Sequence, residues 1–417
     1  MSAPDDLRRG WCPGMLRPME TRDGLLARLH PRGSVLSASQ AQAIAEGARR
    51  FGNGLLDLSS RGNIQIRGVT PDLHPHLVES LIAAGLMDGV RSESPFRLTT
   101  ISPLAGIDPS ELIDASALAE RIEETGRSIT GLHAKMSIVV DGGGAVTLDR
   151  IKADIRLVAL STTRVAVGVA RPGGNKWVGA LAPTAVPAAI GAMISATADG
   201  VGQRLREIDD DQLTHCLKAL PIDPPEIPPF RAHAPRAGRV PTGDQAAIFL
   251  VPPYGRCTAD ALARAASWSQ QFARGEIRLS PFRALVIPFV SAEGCATLAR
   301  DAGFIVDEDD PRLSISTCSG MEGCARGSTS THADSNRIAA ALPAGISVHI
   351  SGCPKGCAHP GPADLTLVGD GGAYQVVLGG TARDKPLTRA GIDAVAERLA
   401  GISDRTDLMR VFGTGRP

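Results

Sequence analysis

The chain has 417 residues, 43% apolar and 21% charged, an ordinary globular composition with length for roughly two to four domains. Its 44 Lys and Arg balance 44 Asp and Glu, which argues against a general nucleic-acid binder or a polybasic membrane-surface protein but leaves room for a local basic pocket. With 9 Phe, 3 Trp and 2 Tyr, stacking platforms for single-stranded nucleic acid are not expected.

Residues 1–10 carry no apolar run, so no signal peptide is read there, and a cytoplasmic protein without a membrane partner is expected. Gly24–Leu29 reads as a short apolar strand and Ser39–Phe51 as a helix capped by Ser37 or Ser39. Leu55–Val69 alternates as extended chain does. Asp141-Gly-Gly-Gly144 lacks the Gly-Lys-Ser/Thr of a phosphate loop and is expected to turn between strands. The longest uncharged stretch, 177–198, is rich in Ala and Gly and interrupted by Pro183 and Pro187. It falls short of a membrane span, and from Pro187 it reads as an Ala-rich helix on a sheet. The acidic runs Asp209–Asp211 and Asp307–Asp310 lack the alternating spacing of a calcium loop and are expected to be solvated surface. A Pro-rich linker, 221–241, follows the first of them.

Beyond the linker the chain repeats itself. Phe51-x-x-Gly54-x-x-x-Leu58-Ser59 recurs as Phe272-x-x-Gly275-x-x-x-Leu279-Ser280, a shift of 221, so Ala246–Val251, Ala259–Phe272 and Glu276–Val290 read as a second strand, helix and extended segment. At a shift of 210, Ser137–Val140 matches Ser347–Ile350 and Ala153–Val158 matches Ala363–Val368. The order is small module, large module, small module, large module.

Eight cysteines in a long chain without an export signal do not point to disulfides. Cys12, Cys216, Cys257 and Cys295 stand alone and read as small buried hydrophobes. Cys318-x5-Cys324 and Cys353-x3-Cys357 fall within 40 residues. Four thiolates can hold zinc or an iron–sulfur cluster. Zinc prefers tighter pairs on knuckle turns, so the wide, unequal spacing favours a cluster. Gly352 and Gly356 let backbone approach an inorganic core, with N–H groups free to donate to its sulfides. The first large module has Asp141-Gly142-Gly143 where the second has Ser351-Gly352-Cys353. One half therefore carries the metal and the other offers a matching surface without it, which suits a large, roughly symmetric ligand between them.

These features resemble the sulfite/nitrite reductase superfamily over nearly the whole chain. That superfamily alternates ferredoxin-like half-domains with larger α/β modules. Its cluster signature, Cys-x5-Cys then Cys-x3-Cys, is matched by Cys318, Cys324, Cys353 and Cys357 and by the run Val348-His-Ile-Ser-Gly-Cys-Pro-Lys-Gly-Cys-Ala-His359. The implied fold is α+β and pseudo-twofold: duplicated ferredoxin-like half-domains, 1–82 and 242–305, plus two larger reductase-like modules, 83–220 and an iron–sulfur-binding 306–417. In the reductases the last cysteine bridges to sirohaem iron, and Cys357 is the matching position. Arg61 matches one anion-binding arginine and Lys135 the first of two lysines. The second lysine falls on Ser137, and Thr99–Gly106 lacks the basic residue of a further arginine segment. Six-electron reduction of a small anion needs dense positive charge, so these losses count against it.

A branch of the superfamily that oxygenates precorrin-3A in aerobic cobalamin biosynthesis is more similar. Its pattern matches Arg9-Gly-Trp-Cys12-Pro-Gly, Arg17-Pro-Met, Asp23–Leu29 and Gly52–Gly68, with Arg22 in place of a glycine. This resemblance implies an iron–sulfur monooxygenase that hydroxylates precorrin-3A with dioxygen and forms a γ-lactone, with sirohaem-dependent sulfite or nitrite reduction as the alternative. Its site would comprise a [4Fe–4S] cluster on the four cysteines, with Arg61 and Arg67 as planar forks and Lys135 as a point charge on the carboxylates of the tetrapyrrole. The resemblance also implies a mononuclear non-haem iron. His332, His349 and His359, with Asp334 or Asp364, are candidate ligands without a recognised spacing, and no catalytic residue is assigned. No nicotinamide or flavin fingerprint is present, so an external electron donor is implied. The duplication builds both sides of a cavity in one chain, so a monomer suffices.

Overall fold

The computed structural model describes residues 12–87, 97–198, 203–218, 220–231, 234–298 and 303–413. Arg9, Gly10 and Trp11 of the N-terminal motif lie outside the described residues. The first small module comprises β1 (Met19–Thr21), β2 (Gly24–Leu29), β3 (Val35–Ser37), α1 (Ala38–Phe51), β4 (Leu55–Leu58), β5 (Ile64–Val69) and α2 (His74–Ala83). The first large module adds β6 (Thr99–Ile101), α3 (Ala115–Arg127), β7 (Ile138–Asp141), β8 (Ile155–Ser161), β9 (Arg164–Arg171), β10 (Gly174–Leu181), α4 (Val186–Ser195) and α5 (Asp210–Leu217). The second small module holds β11 (Gly238–Thr242), β12 (Gln245–Leu250), β13 (Arg256–Thr258), α6 (Ala259–Phe272), β14 (Glu276–Leu279), β15 (Leu285–Val290) and α7 (Ala292–Leu298). The second large module closes the chain with β16 (Ile315–Thr317), α8 (Gly320–Gly323), α9 (Thr331–Ala341), β17 (Val348–Ser351), β18 (Ala363–Asp370), β19 (Ala373–Gly380), β20 (Thr388–Ala390), α10 (Ile392–Ala400) and α11 (Leu408–Gly413).

Each boundary of β2, β3, α1, β4 and β5 recurs 221 residues later in β12, β13, α6, β14 and β15. The local chemistry explains why the copies fold alike. Ser37 caps α1 and Gln40 completes a capping box, with Gln40 N donating to Ser37 Oγ at 3.1 Å and Ser37 N to Gln40 Oε1 at 3.0 Å. Ala41, Ile44, Ala45 and Ala48 then line the buried face at helical spacing. Thr258 caps α6 through its side-chain oxygen, which accepts from Ala261 N, without the reciprocal bond of a box, and Ala261, Leu262, Ala265 and Ala266 are buried.

The small modules are not closed on themselves. One sheet runs β1-β2-β5-β4-β13 and the other β11-β12-β15-β14-β3, so each copy lends an edge strand to its twin. Leu36 on β3 pairs with Ile277 on β14, and Cys257 on β13 pairs with Leu56 on β4. Both helices α1 and α6 therefore cover one fused core. The exchange also covers strand edges that would otherwise be open to pairing with another chain.

The large modules repeat at the level of topology, with sheet orders β6-β7-β8-β9-β10 and β16-β17-β18-β19-β20. The first three strands of each are parallel and the rest antiparallel. The side chains agree: Ser137 N and Oγ donate to Asp154 Oδ2, both at 2.9 Å, and Ser347 N and Oγ donate to Asp364 Oδ2 at 2.9 and 2.6 Å.

One expectation is corrected here. Because β7 and β8 are parallel, Asp141–Gly144 opens a crossover loop rather than a turn between antiparallel strands. The acidic runs are solvated as expected, with Asp209, Asp210, Asp211, Asp307, Glu308 and Asp309 exposed, and they also make local contacts. Asp209 caps α5 in a box with Gln212, Asp210 pairs with Arg171 and Lys176, and Asp310 pairs with Arg312. Among the described residues, no helix is long and apolar enough to cross a membrane.

Candidate metal centre and its cationic surroundings

β16 and β17 are parallel neighbours, with Thr317 opposite Ile350, so both run out at the same edge of the sheet. Cys318 follows the first and Cys353 the second, which brings the two cysteine loops side by side. Gly352 N donates to Cys318 Sγ at 3.2 Å. A Cβ on Gly352 would lie 3.1 Å from Gly327 Cα, and one on Gly327 would run into the Gly320 backbone, so only glycine allows these loops to stack. Burial first, and then the neighbouring thiols, push Cys353 and Cys357 up, while Lys355 pulls them down. Among the described residues, no three His, Cys, Asp or Glu side chains converge on one metal ion. The charges of Cys318, Cys324 and Cys353 are all felt at Cys357, so the four thiols share one neighbourhood.

The loop between Cys318 and Cys324 is held from the first small module by Arg67 on β5. Its Nε and Nη2 donate to Asp23 at 2.9 and 2.7 Å, and Nη1 donates to Asp57 Oδ2 at 3.0 Å. The two remaining N–H groups reach Ser319 Oγ at 3.3 Å and Gly323 O at 2.8 Å. A guanidinium has five donors, and all five are taken. Arg256 on β13 grips the same Asp57, at 2.6 and 3.1 Å, and also donates to Ser319 Oγ at 3.3 Å. Arg67, 2% exposed, therefore has no donor left for a ligand. The expectation that it binds substrate carboxylate is replaced by a role in clamping the cysteine loop.

Arg61 is placed differently. It sits half-buried at the tip of the β4–β5 hairpin, and among the described residues its side chain makes no hydrogen bond or ion pair. Burial lowers its pKa, and the Arg204 and Arg206 guanidiniums lower it further, against Cys12 and Asp154. Arg28 and Arg97 also feel its charge. Arg97 donates to Ser34 Oγ and to the Arg61 carbonyl, fixing the hairpin tip, and its own pKa is held to about 10 chiefly by burial. His30, crowded by Arg28, Arg97 and Arg61, is held well below its usual value, burial being the larger cause. Lys135, half-buried, shares a loop with His133, whose ring accepts from Lys135 N at 2.9 Å and feels Arg204.

The neutral residue expected at the second lysine position, Ser137, donates to fully buried Asp154, and Arg204 and Arg206 close on that carboxylate at 2.8 and 2.5 Å. Positive charge thus enters from a segment far along the chain. No sequence motif marks Arg204 and Arg206. Of the lone cysteines, only Cys257 is buried, its thiol pushed up to about 12 chiefly by burial. Cys12, Cys216 and Cys295 are half-buried, contrary to expectation. Cys12 lies among the cations, its Sγ 3.6 Å from Ala134 O.

The candidate iron ligands divide. His349 and His359 come together, with ring centroids 5.8 Å apart. His349 is fully buried with both ring nitrogens unpartnered among the described residues, and burial holds it down to about 4. His332 packs against Tyr254 instead. Asp334 accepts from Tyr374 Oη at 2.6 Å, and Asp364 is held by Ser347. A two-His, one-carboxylate set is therefore not assembled from these residues. The matching surface of the first large module is acidic: Glu111 faces Gly142 and Asp108 faces Gly144. Burial first, then Asp108, Asp114 and Asp141, raise Glu111 to about 7, while Arg231 holds Asp141 at 2.6 Å.

A model of the nitrite/sulfite reductase ferredoxin-like half domain matches residues 17–84 and again 234–302. A precorrin-3B synthase from Sinorhizobium sp is 34% identical over 416 residues, covering 94% of this chain and 88% of that protein. A ferredoxin–nitrite reductase from Synechococcus elongatus is 27% identical over 414 residues, covering 87% of this chain and 79% of that one. Among solved structures, the NirA protein of Mycobacterium tuberculosis superposes with a TM-score of 0.71 at 20% identity, covering 93% of this chain and 83% of that one.

Proposed function

The chain belongs to the nitrite/sulfite reductase family as a homologue of precorrin-3B synthase, and we propose that it hydroxylates precorrin-3A with dioxygen and forms the γ-lactone. The observation that carries this reading is Arg61: a half-buried fork, unpartnered among the described residues, in a neighbourhood of four further guanidiniums, beside a loop that keeps one lysine where the reductases use two. Such a surface suits the spread carboxylates of a large polyanion better than one small, highly charged anion.

A [4Fe–4S] cluster, held by Cys318, Cys324, Cys353 and Cys357, supplies single electrons when bound, received from an external donor. The chain's own residues do the rest of the positioning. Arg61 takes a peripheral carboxylate of the substrate through two parallel N–H bonds, and Lys135 adds a point charge to the same rim. Arg204 and Arg206 hold Asp154, which fixes Ser137 and the strand behind Lys135. Arg67 and Arg256 hold Ser319, and with it the first cysteine loop. No step is assigned to a mononuclear iron, since the described residues do not bring its expected ligands together.

The test is a visible spectrum of protein purified anaerobically, followed by titration with precorrin-3A. A broad iron–sulfur absorbance and tetrapyrrole binding are expected. Sirohaem bands in the isolated protein would establish the reductase reading in its place.

A further inference from the structure

The hairpin joining β14 and β15 is the twin of the one that carries Arg61. Ser280 to Ala284 stand where Ser59 to Asn63 stand in the first copy, and Arg283 N donates to Ser280 O at 3.0 Å just as Gly62 N donates to Ser59 O at 3.1 Å. Gly62 has φ +59, natural for glycine; Arg283 has φ +61, which few residues other than Gly, Asn or Asp adopt without strain. The side chain that this turn tolerates lies across Gly255, where a Cβ would come within 2.8 Å of Arg283 Cδ. It ends at the cysteine loop, with Nη2 donating to Ala358 O, next to Cys357, at 3.4 Å.

Among the described residues that is its one hydrogen bond and it has no ion pair, so four of five donors are unspent there on a half-buried cation. Burial lowers its pKa, and the charge of Asp57 only partly restores it. An arrangement of this kind suits an anion. The first hairpin presents a similarly unspent guanidinium one position earlier, at Arg61.

We infer that Arg283 is the second arm of a carboxylate clamp, gripping a peripheral carboxylate of the tetrapyrrole from the side of the cysteine loop while Arg61 grips another from the opposite module. The inference rests on the tetrapyrrole reading of the site and adds to it a binding residue on the second hairpin.

The test uses Arg283→Gly, which installs the residue of the sister turn and so removes the fork while relieving the backbone. Cluster-loaded wild-type protein and variant are titrated anaerobically with precorrin-3A, alongside melting curves and iron and sulfide analysis. The expected result is a Kd raised about tenfold or more, the worth of a charge-assisted bond, with melting temperature equal or higher and iron retained. An unchanged Kd in the variant, with wild-type protein binding, would overturn this assignment alone. Loss of iron in step with binding would also overturn it, making Arg283 a strut for the Cys357 loop. Wild-type protein that does not bind precorrin-3A would overturn the tetrapyrrole reading, and the clamp with it.

Discussion

Arg67→Met removes a guanidinium that makes three bonds to Asp23 and Asp57 within the first small module and two to the cysteine loop, and the structure indicates what each partner loses. Asp57 retains Arg256 at 2.6 and 3.1 Å and stays neutralised. Asp23 loses its cation and is left with Asn53 Nδ2 at 3.1 Å and Thr21 Oγ1 at 2.8 Å. Gly323 O loses the guanidinium donor, while Ser319 Oγ retains the one from Arg256. Breaking a buried pair from one side costs about 3–5 kcal/mol, and the 15% exposure of Asp23 places this case near about 3. Adding Asp23→Asn removes the stranded charge, so the double variant should recover more than about 1 kcal/mol of that loss. The assay is urea unfolding followed by circular dichroism, with iron and acid-labile sulfide measured after anaerobic reconstitution. The single variant should unfold earlier and hold less iron. A midpoint within about 0.5 kcal/mol of wild type, with full iron, would refute the clamp.

Two further predictions concern the two large modules. Cys353→Ser should abolish cluster binding, read as iron and sulfide content; wild-type content in the variant would remove Cys353 from the ligand set. Glu111, raised to about 7 from 4.5, binds a proton in the folded state that the unfolded chain gives up sooner. Its contribution to stability is therefore full below pH 4.5 and is lost as pH rises through about 7. Glu111→Gln escapes that loss, so its advantage over wild type should grow between pH 5 and 8 by on the order of 1–2 kcal/mol, allowing for solvent screening. Parallel stability curves for the two proteins would contradict the raised value.

The elements that were legible in the sequence are those set by local chemistry. Ser37 marks where α1 begins, and the alternation of Leu55–Val69 and of Glu276–Val290 marks extended chain; the turns that fold each of these segments into a hairpin were not read. The strand exchange was not legible, because Val35–Ser37 has the same composition whichever β-edge it joins; only the folded chain shows it beside β14. Asp209 is solvated surface as read, but its second role was not read: Asp209-x-x-Gln212 is a capping-box spacing that signals a helix start. For the site, the four cysteines stood out by spacing. The arginines did not: a buried, saturated Arg67 and an unpartnered Arg61 are the same letter, and what separates them is the position of Asp23, Asp57, Ser319 and Gly323 in space. Arg204 and Arg283 were missed for the same reason, since their surroundings are assembled from distant segments.

The central claim, oxygenation of a bound tetrapyrrole, is tested most directly by mass spectrometry of the product. Reconstituted protein is supplied with precorrin-3A, an electron donor and ¹⁸O-labelled dioxygen. The account predicts a product carrying one labelled oxygen atom, formed only when dioxygen is present. Precorrin-3A recovered unlabelled and unchanged, from protein shown to hold its cluster and bind the substrate, would contradict it.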